Sequence, residues 1–96
     1  MIVSFKNRGT EDIYDGNDTK AARKLLPTEL HAKGGKALDQ LDAAVSLQSL
    51  SLPGLGLEKL KRDRAEQHSI RINDQFRVCF RWSGSDAEDV EIVDYH

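Results

Sequence analysis

The chain has 96 residues, 39% of them hydrophobic and 31% charged, with a formal net charge of −2, values that suit one small globular domain and disfavour a protein that coats nucleic acid by bulk charge. No apolar run approaches the ~20 residues of a membrane span, and none follows the first charges of MIVSFKNRG to make a secretory signal. Cys79 stands alone, which excludes an internal disulfide and offers no cysteine–histidine spacing for zinc.

IVSF, residues 2–5, is short, β-branched and aromatic and predicts a first strand. EDIY then predicts one or two helical turns before the DGND turn at 15–18, and a second helical stretch runs from about Thr19 to Leu26, where Pro27 interrupts it. Residues 28–44, TELHAKGGKALDQLDAA, carry the main helix, with Thr28 as N-cap and Leu30, Leu38, Leu41 and Val45 as the apolar stripe. The stripe has a gap at Lys33-Gly34-Gly35-Lys36, and two helical glycines cost about 1 kcal/mol each against alanine. They mark either a tolerated weakness or a close approach by a partner. SLQSLSLPGLGL, 46–57, is a connector with room for one short helical turn.

Beyond it the periodicity changes from helical to alternating. LEKLK (57–61), QHSIRI (67–72), FRVCFRW (76–82) and VEIVDY (90–95) predict strands separated by the turns RDRAE, NDQ and SGSDAED. The order strand, helices, then successive strands implies an α+β fold, with two main helices on one face of a curved, largely antiparallel sheet of four to five strands. A three-residue loop Asn73-Asp74-Gln75 pairs Arg71 with Arg77 and Ile70 with Val78, which keeps Ile70, Ile72, Phe76, Val78, Phe80 and Trp82 on one face. Arg77, Cys79 and Arg81 take the other. For the last hairpin, the same logic pairs Phe80 with Ile92, Arg81 with Glu91 and Arg77 with Tyr95.

Residues 59–82 hold 7 basic and 3 acidic side chains, while residues 83–96 hold 5 acidic and none basic. That concentration fits one anionic contact site. Arg71 and Arg77 side by side destabilise a sheet unless an anion relieves them, and a guanidinium fork suits phosphate. Tyr95 and His96 lie beside them at the chain end, with Asp94 able to orient either the histidine or an arginine. Cations, a phenol and an imidazole are what metal-free RNA cleavage needs: a base for the 2′-hydroxyl proton, positive charge for the phosphate and an acid for the leaving oxygen. His31 and His68 read as a helix-surface and a packing residue, and Cys79 as a small strand residue.

LEKLKRDRAEQHSIRINDQFRVCFRW followed by VEIVDYH resembles the HigB toxins, or plasmid maintenance system killer proteins, of the RelE/ParE superfamily. MIVSFKNRGTEDIYDG and LDQLDAA extend the resemblance over nearly the whole chain. It implies a RelE-like fold, and a toxin that cuts messenger RNA in the ribosomal A site. It also implies neutralisation by a HigA-type antitoxin with a helix-turn-helix domain, through which the pair would reach operator DNA. By motif, Asp94, Tyr95, His96 and Arg77 match residues of the cleavage site, and Lys61 and Arg64 match residues around the family's LKG segment; Arg71 joins them as a phosphate contact. Two positions depart from the pattern: Glu58 replaces a histidine found in some members, and Arg62 replaces the glycine of LKG. The expectation is a cytoplasmic, single-domain protein (1–96) with no cofactor and no membrane. A ParE-like gyrase inhibitor and a degenerate toxin acting only in operon control are the alternatives.

Overall fold

The computed structural model describes residues 1–95. Helix α1, Arg8–Asp15, starts where Asn7 Oδ1 accepts from Thr10 N at 2.9 Å and stops at Gly16, whose φ of 79° is open to glycine at little cost. Helix α2, Lys20–Leu25, is capped by Thr19, whose hydroxyl accepts from Ala22 N and donates to Asp12. The two helices touch closely at Gly9. A Cβ there would stand 2.6 Å from both Ala21 O and Leu25 Cδ1.

The main helix enters differently from the sequence expectation. Thr28 does not cap it; Pro27 opens a 3-10 turn, Thr28–Leu30, and helix α3 runs His31–Ala43. Pro27 has no N–H to lose and its carbonyl accepts from Leu30 N at 2.9 Å, so the tighter turn forms one residue early. Leu38 and Leu41 are fully buried, but Val45 lies past the helix end and is exposed. Gly34 is neither a weak point nor an open surface. A Cβ there would meet Leu26 Cδ2 at 2.8 Å, with Ile13 and Ile72 close behind, so the glycine lets α3 sit down on the core.

Strands β1 (Glu58–Lys59), β2 (Gln67–Arg71), β3 (Phe76–Ser83) and β4 (Asp86–Asp94) form one antiparallel sheet in sequence order. The first hairpin keeps the expected register, with Arg71 opposite Arg77 and Ile70 opposite Val78. The second does not. Gly84 adopts φ 64° as the first of two loop residues between Ser83 and Asp86, so the turn is far tighter than SGSDAED implies. A bulge then sets Asp89 and Val90 against Phe80, with Asp89 at φ 51°.

The bulge resets the alternation, so that Ala87, Val90 and Ile92 all enter the core while Asp89 stays outside. Pairing is displaced by two residues from the expected one: Ile92 faces Val78, Val93 faces Arg77, and Glu91 faces Cys79 rather than Arg81. A shift of two preserves which face each side chain occupies but changes every charge partner. The same bulge limits the N-terminal segment. Residues 2–5 run alongside β4 as isolated parallel bridges, Ile2 to Ala87 and Phe5 to Val90, instead of a continuous strand.

The core lies between the helices and one sheet face. It joins Ile13, Leu26, Leu38 and Leu41 to Ile70, Val78, Phe80 and Ile92. Asp42 clamps the layers: Oδ1 accepts from Ile2 N at 2.8 Å, and Oδ2 from the Tyr14 hydroxyl at 3.1 Å.

Candidate functional site

The other sheet face carries polar residues because β2, β3 and β4 alternate. One row across it is Ser69, Cys79 and Glu91; the next is Arg71, Arg77 and Val93. Leu60 and Cys79 are buried here but lie outside the helix-covered core. Burial pushes the Cys79 thiol up in pKa, and the opposing pull of Arg64 and Arg77 is smaller, so it stays protonated and inert at neutral pH.

Arg77 is the most enclosed cation of this face, with 12% of its side chain exposed. Its Nε donates to Ser69 Oγ at 2.7 Å, one Nη donates to the Gly56 carbonyl, and the other lies 3.7 Å from Glu58 Oε1. Gly56, at φ 56°, brings the connector over the arginines; a Cβ there would sit 3.6 Å from an Arg77 nitrogen. The carboxylate of Glu58 thus relieves Arg77, while Asp74 pairs with Arg71. The expected like-charge conflict between the two arginines is met inside the chain.

Tyr95 is diagonal to Arg77, not opposite it. The Arg77 guanidinium carbon nevertheless lies 5.9 Å from the centre of the Tyr95 ring, within cation–π range. The tip is held in place, since Tyr95 N donates to the Gln75 carbonyl at 2.7 Å. Tyr95 as a whole is 42% exposed. Asp94 belongs to the opposite side of the strand, across from Phe76, and its Oδ2 accepts from Gln75 Nε2 at 3.1 Å. His96 lies outside the described residues.

Arg64 reaches the same face from the 3-10 turn Arg62–Arg64. Its Nη1 donates to Glu91 Oε1 at 2.6 Å and to Gln67 Oε1 at 3.1 Å. The hydrogen bond that Arg64 donates to Glu91 raises the Arg64 pKa against the cost of burial, with a smaller contribution from the Glu91 charge. Lys6 Nζ approaches Glu91 at 3.8 Å. Arg62, in place of the glycine, keeps a glycine-like φ of 60°. Lys61 and Arg62 are exposed at the rim, with no ion pair among the described residues.

The site therefore unites Arg64, Arg77 and Tyr95, flanked by Arg71 and Lys61. Arg81 is not part of it; it pairs with Glu66 at 3.1 Å and Asp89 at 3.6 Å. Three contributors escape a reading by residue type alone: Glu58, Ser69 and Glu91. The first-hairpin register does bring Ser69 diagonally next to Arg77, so that contact was visible in the pattern. Glu91 depends on the bulge. His68 stacks on Phe80 with centroids 6.2 Å apart on the core side, and burial lowers its pKa, helped by Lys59.

A family model described as the RelE-like toxin of the type II toxin–antitoxin system HigB matches residues 3–96. The chain is 34% identical over 83 residues to Toxin HigB-1 of Vibrio cholerae, covering 85% of this chain and 84% of that protein. It is 27% identical over 96 residues to Endoribonuclease HigB of Proteus vulgaris, covering 100% of both. Among solved structures, a chain of the YoeB–YefM complex from Staphylococcus aureus superposes with a TM-score of 0.57 at 15% identity, over 100% of this chain and 98% of that one. At that identity the likeness speaks for the fold, the α+β RelE-like architecture.

Proposed function

The chain belongs to the HigB-like family of RelE-like toxins from type II toxin–antitoxin systems, and on that premise we propose that it is an endoribonuclease cleaving messenger RNA on the ribosome. The observation that carries the reading is the meeting of Arg64, Arg77 and Tyr95 on the sheet face that the helices leave open. Two guanidinium groups and a phenol in one place suit a phosphate that gains charge as it is attacked.

In this reading Arg77 and Arg64 hold the non-bridging oxygens of the scissile phosphate, while Lys61 and Arg71 hold its neighbours. The 2′-oxygen attacks phosphorus and gives up its proton, and the bond to the 5′-oxygen breaks as that oxygen is protonated. The products are a 2′,3′-cyclic phosphate and a 5′-hydroxyl. Tyr95 and His96 carry the proton transfers. Glu58 holds Arg77 until the incoming phosphate takes its place. Asp94 acts through the tip that it helps to hold.

The ribosome supplies the RNA geometry, which is why a chain of net charge −2 needs no general affinity for nucleic acid. A HigA-type helix-turn-helix antitoxin neutralises the toxin and links it to operator DNA. Residues 1–96 form one such toxin domain and act in the cytoplasm. Primer extension on messages translated in a cell extract tests the reading. Breaks within the reading frame, dependent on translation and lost with Tyr95→Phe plus Arg77→Ala, are expected; intact transcripts with the wild type, or inhibited gyrase instead, would overturn it.

A further inference from the structure

The KGGK segment lies outside the centre just described, yet the fold gives it a distinct setting. Gly34 faces the core, and Lys33 and Lys36, three residues apart, share the exposed flank of α3. They line an open cleft of about 270 Å³ between α3 and the connector, together with Gln40, Leu52, Pro53 and Arg71. Among the described residues, neither lysine has a carboxylate at ion-pair distance, whereas Arg64, Arg71, Arg77 and Arg81 each have one.

Arg71 joins the cleft to the cleavage centre. It lines the cleft and stands directly opposite Arg77 on the neighbouring strand. The connector is common to both: Leu55 O accepts from Arg71 N at 2.6 Å, and Gly56 O accepts from Arg77. A row of cations thus leads from Arg77 and Arg71, each with its own carboxylate, to Lys36 and Lys33, unpaired among the described residues, across the cleft. Leu52, 54% exposed, adds an apolar surface with Pro53 that fits an unstacked base.

We propose that this cleft is a second RNA subsite, taking phosphates of the message strand adjacent to the cleaved bond. The proposal rests on the ribonuclease reading. Cations without internal partners favour the phosphate chain over a protein ligand, since backbone phosphates are the densest fixed charge a ribosome-bound toxin meets.

The test measures binding of the full chain to ribosomes programmed with a message made uncleavable by 2′-O-methyl groups in the A-site codon, across a salt series. Ribosomes without message form the second arm. The Lys33→Ala/Lys36→Ala variant changes only exposed helix positions, where alanine favours the helix. Its affinity for programmed ribosomes should fall about tenfold or more, and its log–log salt slope should be shallower by about 1.4, as two lost single-strand phosphate contacts require. The single-turnover cleavage rate at saturation should stay unchanged. An unchanged slope and affinity would overturn the proposal, and an equal loss on empty ribosomes would reassign the cleft to ribosomal RNA. A loss confined to binding of the cognate antitoxin would reassign it to protein. Failure of the wild type to cleave any message would instead remove the ribonuclease reading itself.

Discussion

Glu91 offers the sharpest perturbation of the open sheet face. Its side chain is 12% exposed, bonded to Arg64 at 2.6 Å and approached by Lys6 at 3.8 Å. Removing one partner of a fully buried ion pair costs about 3–5 kcal/mol, because the survivor stays charged and desolvated. Arg64 is 34% exposed, so water recovers part of that loss when Glu91 is removed, and Gln67 still accepts from it at 3.1 Å. Glu91→Ala should therefore cost about 2 kcal/mol. Arg64→Ala should cost a similar amount, about 2 kcal/mol, since Glu91 is the less exposed group but keeps Lys6 at 3.8 Å. In a domain of this size 2 kcal/mol corresponds to a fall in Tm of about 8–16 °C. Urea titration of both single variants and the double variant reads the coupling, expected at about 1–2 kcal/mol. Shifts below about 0.5 kcal/mol, or strictly additive losses, would refute the reasoning that this pair anchors the face.

Arg62 holds φ 60° where glycine would be unstrained, so Arg62→Gly should raise stability by up to about 1 kcal/mol in thermal melts; a loss would mean the arginine side chain contributes more than its backbone strain costs. Gly34→Ala places a methyl 2.8 Å from buried Leu26 and should destabilise by about 1 kcal/mol despite better helix propensity, whereas Gly35→Ala, 3.6 Å from Ile13 O, should stabilise by a similar amount; melts that reverse this order would contradict the packing account. His68 has a lowered pKa in the folded chain, so the unfolded chain takes up its proton first as pH falls below about 6.5. Stability should decline from there downwards by at most about 1.4 kcal/mol per pH unit from this group, and His68→Phe should remove that component from urea midpoints measured between pH 7 and pH 5.

The helices and the first hairpin were legible because their signals are local. Asn73-Asp74-Gln75 fixes one register, and the inner row from Ile70 to Phe80 tolerates no slip of one residue. The second hairpin defeated the same reasoning through a glycine and an aspartate. Gly84 permits a two-residue turn, and Asp89 adopts the left-handed backbone that opens the bulge; alternation read outward from Val90 sees neither. The faces survived, since the error was two residues, so Arg77 and Tyr95 share one side as the alternation implies, whereas Arg64, in the turn Arg62–Arg64, has no face that alternation could assign. The charge partners did not survive. Glu58 looked like a departure and proves to be the carboxylate facing Arg77, and Glu91 exchanges Arg81 for Arg64. Gly34 illustrates a third case, in which a residue that weakens an isolated helix is required by a neighbour, Leu26, that only the tertiary structure brings near.

The central claim is that the open face around Arg77 and Tyr95 is where RNA is cut. Single-turnover cleavage of a ribosome-bound message by wild type, Arg77→Ala and Tyr95→Phe, each checked for an intact fold by its melting curve, tests it most directly. The account predicts losses of at least about 100-fold for each folded variant, the scale of removing one preorganised charge or proton donor. Folded variants that cut at the wild-type rate would contradict it.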